Sequence, residues 1–200
     1  MLESYHTEGV IEAGCDEAGR GCIAGPVFAA SVILPADFRN PHLDDSKKLS
    51  AKVRAELRGV VESEAITYGV GLVDEKEIDQ VNILNASFMA MHQAVKKLSP
   101  VPQHLIIDGN RFRPYGNIPF HCIVKGDAKY ASIAAASILA KTYRDEFMEI
   151  LHNQHPEYMW KKNKGYPTRH HREAVLKYGP SPYHRRSFRL LNDQMKFDFS

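Results

Sequence analysis

The chain has 200 residues, 44% hydrophobic and 25% charged, with a formal net charge of +2 and a mean hydropathy of −0.37. That fits a soluble domain with a buried core, or one domain with a helical appendage. It excludes a membrane-spanning helix, since no apolar run approaches the ~20 residues required. The first residues have neither the basic nor the apolar region of a signal peptide. The three cysteines, Cys15, Cys22 and Cys122, are odd in number and lie in apolar strand-like runs. They read as reduced, buried thiols of a cytoplasmic protein, and no CxxC pair supports a zinc ribbon. Charge is unevenly placed. Residues 1–140 carry 14 basic and 17 acidic side chains, whereas 141–200 carry 12 and 7 together with five histidines. This asymmetry suits a polyanion held beside acidic metal ligands, or a solvated helical face.

Val10, Ile11 and Ala13 begin a strand, and Cys22–Leu34 is almost wholly apolar. Between them stands Gly14-Cys15-Asp16-Glu17-Ala18-Gly19-Arg20-Gly21, two adjacent acids flanked by glycines where a strand surfaces. Neighbouring strand residues point to opposite faces. Asp16 and Glu17 therefore share one cation only if the strand end twists or Glu17 lies in the turn. Such carboxylates suit a hard, oxygen-seeking ion such as magnesium or manganese, and the alternative is a turn with solvated acids. Pro35–Pro41 reads as a loop. Ser50 caps a helix with apolar positions Val53, Leu57, Val60 and Val61. Just before it, Ser46 and Lys47 are placed to meet a phosphate, or serve only as helix-entry residues.

Ala65–Val73 reads as a third strand, followed by a short helix from Asp74 through Ile78 and a longer one over about 83–98 that Ser99–Pro102 stops. His104–Asp108 is a short apolar strand ending in an acid and a glycine. Asp108 is a third carboxylate at a strand end, where ligands of α/β sheets collect, or simply the acid of an Asp-Gly turn. After a loop to Pro119, Phe120–Val124 is the next strand. Lys125-Gly126-Asp127-Ala128-Lys129 then leads into the longest helix, over about 130–152, whose first half is small and apolar all round. Asp127 is either a helix cap or a fourth carboxylate, and Lys125 and Lys129 flank it as candidate phosphate contacts. Two basic, aromatic loops follow, Lys161–Thr168 and Ser181–Phe188, with helices expected over about 168–177 and 188–196. Cations interleaved with rings suit a nucleic acid. The histidines at 152, 155, 170, 171 and 184 lack the spacing of a transition-metal site.

The assembly suggests an α/β sheet with one acidic cleft in which two metal ions activate water against a phosphodiester. The run Asp16–Gly21 with Ala24-Gly25-Pro26-Val27 resembles the signature of type 2 ribonucleases H, specifically the bacterial ribonuclease HII family. Asp45–Ser50, Ile107–Gly109, Lys125–Lys129, Ala134–Lys141 and Lys164–Tyr166 match further blocks of that family in the same order, so the resemblance covers about residues 9–188. It implies a ribonuclease H-like fold with a mixed five-stranded sheet flanked by helices and a small C-terminal helical part. It also implies a single domain over 1–200, with a catalytic core to about 155 and a basic helical part from about 156.

The activity so implied is metal-dependent endonucleolytic cleavage of RNA in RNA–DNA hybrids. Nicking 5′ of single ribonucleotides embedded in duplex DNA is implied too, leaving 5′-phosphate and 3′-hydroxyl ends, with roles in ribonucleotide removal, DNA repair and RNA primer removal. By position, Asp16, Glu17, Asp108 and Asp127 would be the catalytic, metal-holding carboxylates, with Mn2+ or Mg2+. Gly19-Arg20-Gly21 would read the ribose 2′-hydroxyl through its backbone. Tyr166 would stack on the sugar of the following deoxynucleotide. Lys47 would contact a phosphate, with Ser46, Lys129 and His184 as further substrate contacts. The expected partners are RNA–DNA hybrids and ribonucleotide-containing DNA, acted on by a monomer. A different two-metal nuclease of the same fold would have no use for the Gly19–Gly21 turn and Tyr166. A non-catalytic hybrid-binding module would have no use for four acids facing a polyanion.

Overall fold

The computed structural model describes residues 2–43 and 49–191. Ser46 and Lys47 lie outside the described residues, as do 192–200. The strands are β1 (Glu12–Ala18), β2 (Val27–Ile33), β3 (Thr67–Val73), β4 (His104–Asp108) and β5 (Phe120–Ile123). The helices are α1 (Ala51–Glu64), α2 (Glu75–Val81), α3 (Ile83–Lys96), α4 (Ala131–Gln154), α5 (Trp160–Asn163) and α6 (Arg169–Tyr178). Single 3₁₀ turns stand at Gly126–Ala128 and Pro156–Tyr158.

The strands form one five-stranded sheet in the order β3-β2-β1-β4-β5. β1, β2 and β3 pair antiparallel, while β4 runs parallel to β1 and β5 parallel to β4. The sheet is therefore mixed, as the sequence resemblance implied. β1 sits at the centre, and alternation along it assigns each side chain to a layer. Ala13 and Cys15 pack with Ala86, Ala90, Met91 and Val95 of α3. On the other face Ala18, Ala30 and Val32 pack with Ala135, Ala136, Leu139 and Ala140 of α4. The small side chains of α4 let it lie close. At Gly14 the approach is closest, and a Cβ there would overlap the backbone of Ser132 and Ile133.

Local signals placed most ends correctly. Ser50 Oγ accepts from Val53 N at 3.3 Å to start α1, and Asp74 Oδ1 accepts from Glu77 N at 2.8 Å to start α2. Two alternatives that the sequence left open are decided, and one expectation is corrected. β1 runs through both acids to Ala18, so neither acid lies in the turn. Asp127 does not cap α4, which begins after Tyr130 with no side-chain cap. Residues 188–191 are not helical. Arg172 Nη1 instead takes the carbonyls of Arg189 and Leu190, at 3.0 and 2.5 Å.

The C-terminal part packs through Tyr158, Trp160, Ala174 and Val175 against Ala24, Met148 and Leu151. His171 and His184 are spent on internal bonds. Trp160 Nε1 donates to His171 Nε2 at 2.9 Å, and His171 Nδ1 lies 2.8 Å from the Tyr166 carbonyl to which it donates. His184 Nδ1 accepts from Ser181 N at 3.0 Å, and its Nε2 lies 3.1 Å from His171 Nε2. Burial, then the charges of His171 and Arg186, push His184 down to about 3.

Two outcomes are expected. Gly14→Ala overpacks the β1–α4 contact and should cost about 1–3 kcal/mol, read as a lower Tm or denaturant midpoint. The unfolded chain protonates its histidines below a pH of about 6.5, whereas folded His184 holds out to about 3. Stability therefore falls progressively as pH drops through that window. His184→Asn should flatten the dependence of Tm on pH between about 6.5 and 4.

Candidate active site

Asp16 points from β1 toward α4 and is 4% exposed. Asp108 ends β4, the parallel neighbour of β1. Its Oδ1 accepts from Gly126 N at 2.8 Å. That bond ties the strand end to the 3₁₀ turn carrying Asp127, which is 1% exposed. Carboxylate oxygens of Asp16, Asp108 and Asp127 all lie within 4.8 Å of one another.

This is an electrostatically costly arrangement. Burial first, then the charges of Glu17 and Asp108, hold the Asp16 carboxyl well above the usual carboxylate range. A hydrogen bond from Ser137 and the charge of Lys141, one turn apart on α4, oppose the shift. An all-oxygen donor set of this kind fits a hard divalent cation, which would relieve the repulsion.

Glu17 faces the other side of β1, as alternation requires. Its Oε1 accepts from Arg20 Nη1 at 2.9 Å. Burial raises its carboxyl, the Arg20 hydrogen bond and charge oppose this, and the Asp108 charge adds to it. Glu17 lines a cleft of about 240 Å³ with Arg20, Asp108, Asn110 and Arg111. The structure thus brings Asp16, Asp108 and Asp127 together, with Glu17 reaching the same strand ends from the opposite face.

The turn after β1 is shaped from outside. Gly19 has φ +96°, and a Cβ there would overlap Arg144 Nε. Arg144, buried on α4, donates to the carbonyls of Pro26, Lys164 and Ala24 at 3.0, 2.8 and 3.2 Å. Arg185, also buried, donates to those of Gly25 and Arg20 at 2.9 and 3.1 Å. Tyr166 is 48% exposed, and its Cε1 would lie 3.8 Å from a Cβ on Gly21. A second cleft, of about 190 Å³, is lined by Gly19, Lys141, Arg144, Lys164 and Tyr166. Lys129 is exposed, and its carbonyl accepts from Glu3 N at 2.8 Å. His184 is 1% exposed. It braces the 181–185 loop, which meets Ala24 through a β-bridge, and offers no surface to a substrate.

Sequence reasoning assigned no role to Arg144, Ser137 or Lys141, and read Arg185 only as one cation of a loop suited to a nucleic acid, whereas it is buried on the carbonyls of Gly25 and Arg20. A signal for Arg144 was present. It occupies the apolar stripe of α4 that continues at Met148 and Leu151. Arg185 has no such mark beside Arg186.

Residues 13–191 match the family model described as Ribonuclease HII. The chain belongs to the ribonuclease HII family. The ribonuclease HII of Christiangramia forsetii is 62% identical over 199 residues, covering 100% of both chains. That of Parabacteroides distasonis is 60% identical over 199 residues, again covering 100% of both. Among solved structures, the ribonuclease H2 of Pyrococcus horikoshii has a TM-score of 0.76 at 26% identity, covering 94% of this chain and 99% of that one. The RNase HII in the PCNA:RNase HII complex of Archaeoglobus fulgidus has a TM-score of 0.77 at 24% identity, covering 95% and 100%, and shows the shared fold. As a ribonuclease HII, the chain is an endoribonuclease acting on RNA–DNA hybrids. No helix among the described residues is long and apolar enough to cross a membrane.

Because burial and the charges of Glu17 and Asp108 disfavour a charged Asp16, Asp16→Asn should raise the Tm of metal-free protein by roughly a few degrees. Differential scanning fluorimetry should also show that the stabilisation of wild-type protein by Mg2+ or Mn2+ is lost in this variant.

Proposed function

We propose that this ribonuclease HII nicks on the 5′ side of single ribonucleotides in duplex DNA as well as cutting longer hybrids. In both cases a water oxygen bonds to phosphorus and the bond from phosphorus to the 3′-oxygen breaks, leaving 5′-phosphate and 3′-hydroxyl ends. The observation that carries the reading is the meeting of Asp16, Asp108 and Asp127 within 4.8 Å, beside the turn at Gly19–Gly21 and the exposed Tyr166.

Asp16, Asp108 and Asp127 would hold Mg2+ or Mn2+, with Glu17 at the edge of the site. A fold neighbour at 19% identity, Bst-RNase HIII, has a crystal structure in complex with Mn2+. Bound there, the metal supplies an activated water and stabilises the leaving oxygen. The chain's own residues orient the substrate. The backbone of Gly19, Arg20 and Gly21 reads the 2′-hydroxyl, the group that separates RNA from DNA at a given site. Tyr166 stacks on the next sugar and so senses the RNA-to-DNA junction. Lys141, Lys164 and Lys129 supply positive charge for the phosphates. Lys47, with Ser46, is read as a further phosphate contact.

We further read residues 1–200 as one domain. In support, Arg144 and Arg185 join the basic part beyond about 156 to the core. The protein would act as a cytoplasmic monomer in ribonucleotide removal, DNA repair and RNA primer removal.

The test uses a DNA duplex with one embedded ribonucleotide and Mg2+ or Mn2+. A nick on its 5′ side is expected, lost with EDTA. Asp108→Asn should cut activity by at least about two orders of magnitude, beyond the ~10–100-fold typical of residues that only support ligands. Tyr166→Ala should lose about tenfold or more in kcat/KM on this substrate, the scale of a lost stacking contact. Cleavage of long hybrids alone would overturn the junction role of the turn and Tyr166.

A further inference from the structure

The N-terminal ends of the parallel strands carry a second group of converging ligands, made of nitrogen. His104 opens β4 opposite Glu12, which opens β1, and His121 lies on β5 opposite Ile106. A chain segment crossing this end of the sheet brings in His6. One nitrogen from each of His6, His104 and His121 lies within 4.8 Å of the others. The rings of His6 and His121 have centroids 4.7 Å apart, and those of His104 and His121 are 5.0 Å apart.

We propose that His6, His104 and His121 form a binding site for one borderline divalent transition-metal ion of the zinc class, distinct from the carboxylate cluster. Three features support a ligand site over a chance stack of rings. First, the buried ring is oriented. His104 Nδ1 lies 2.8 Å from Glu12 Oε2, so it donates to the carboxylate and Nε2 carries the lone pair that faces His121, while the His6 ring lies stacked beside it at 5.7 Å between centroids. A carboxylate fixing the tautomer of a histidine is the usual support of a metal ligand.

Second, Glu12 is fully used as an orienter. Its Oε1 accepts from His6 N at 2.8 Å and its Oε2 from Thr7 N at 3.1 Å. The same carboxylate therefore places His6 and His104. Third, His104 Nε2 lies 2.8 Å from His121 Nδ1, and one proton sits between them. A metal ion takes that proton's place. His121 shifts its proton to Nε2, so the proton stays on the ring, and water completes a tetrahedral set. Two nitrogens on zinc stand roughly 3.3 Å apart for bonds of about 2.0–2.1 Å, so small ring rotations suffice.

Imidazole nitrogen prefers zinc, cobalt, nickel and copper, whereas the carboxylates prefer magnesium and manganese. β4 carries one member of each group, His104 and Asp108, four residues apart, and β1 carries the orienting Glu12 four residues before Asp16. At about 3.3 Å per residue the two sites lie roughly 13 Å apart along the strands. An ion at the histidines would fasten the N-terminal segment to β4 and β5. That segment already pairs with the start of α4 through Glu3 and Tyr130.

The experiment titrates metal-stripped full-length protein with Co2+ while saturating Mg2+ occupies the carboxylates. His6→Gln and His121→Gln serve as variants, since both rings are exposed and neither is needed in the core. One equivalent should bind with the intense visible band of nitrogen-ligated, four-coordinate cobalt, and Zn2+ should displace it. Each variant should bind at least about tenfold more weakly. Unchanged cobalt affinity in both variants, or only the faint band of six-coordinate oxygen ligation in the parent, would overturn the site.

Discussion

Two buried guanidinium groups set the shape of the turn that follows β1. Arg144 and Arg185 together donate to five backbone carbonyls drawn from residues 20–26 and from Lys164. A loop of this kind has no ladder to satisfy its carbonyls, and buried carbonyls must find donors. Arginine supplies several fixed donors from one planar group, which lysine does not. The arrangement costs something in return. Burial, then the charge of Arg144, pushes Arg185 down to about 10. Two like charges are thus kept close so that the backbone beside the carboxylates has one shape.

The carboxylates exploit the position of β1. It is bounded by an antiparallel neighbour on one side and a parallel one on the other. Only the parallel neighbour brings a second strand end, that of Asp108, to the same edge as Asp16. The bond from Gly126 N to Asp108 then fetches Asp127 from beyond β5. Each acid is held by a different local element, so their mutual repulsion is borne by the sheet and α4 together. Functional sites are where a fold tolerates such cost.

Most of the fold and three acids of the site are legible in the sequence, for physical reasons. Apolar runs of strand length, broken by glycine and proline, mark β1, β2 and β4, and Ser50 and Asp74 announce α1 and α2 by capping. Asp16 and Asp108 stand out because each ends a run of buried residues. Glu17 is readable as a neighbour of the site, but its face follows from where β1 stops, and nothing local shows that the strand continues to Ala18. Asp127 reads equally well as a cap, because the 3₁₀ turn that separates it from α4 has no sequence mark of its own. His184 misleads in the same way. A histidine among basic and aromatic residues looks exposed, and only the tertiary bonds to Ser181 and His171 show it to be a brace. Arg144 and Arg185 lie far along the chain from the carbonyls they bind, so no window of sequence shows their role.

The long reach of those two arginines has a consequence for how the chain is made. The strand carrying Asp16 is synthesised early, and β4 and the Asp127 turn follow. The loop that they flank gains its shape only when Lys164 and Arg185 arrive. Translation adds about 5–20 residues per second and domains tend to form from the N-terminus. For part of its synthesis a nascent chain therefore holds the clustered acids without the fixed backbone that lies beside them in the folded protein. The shape of that backbone is thus a property of the chain extended through Arg185.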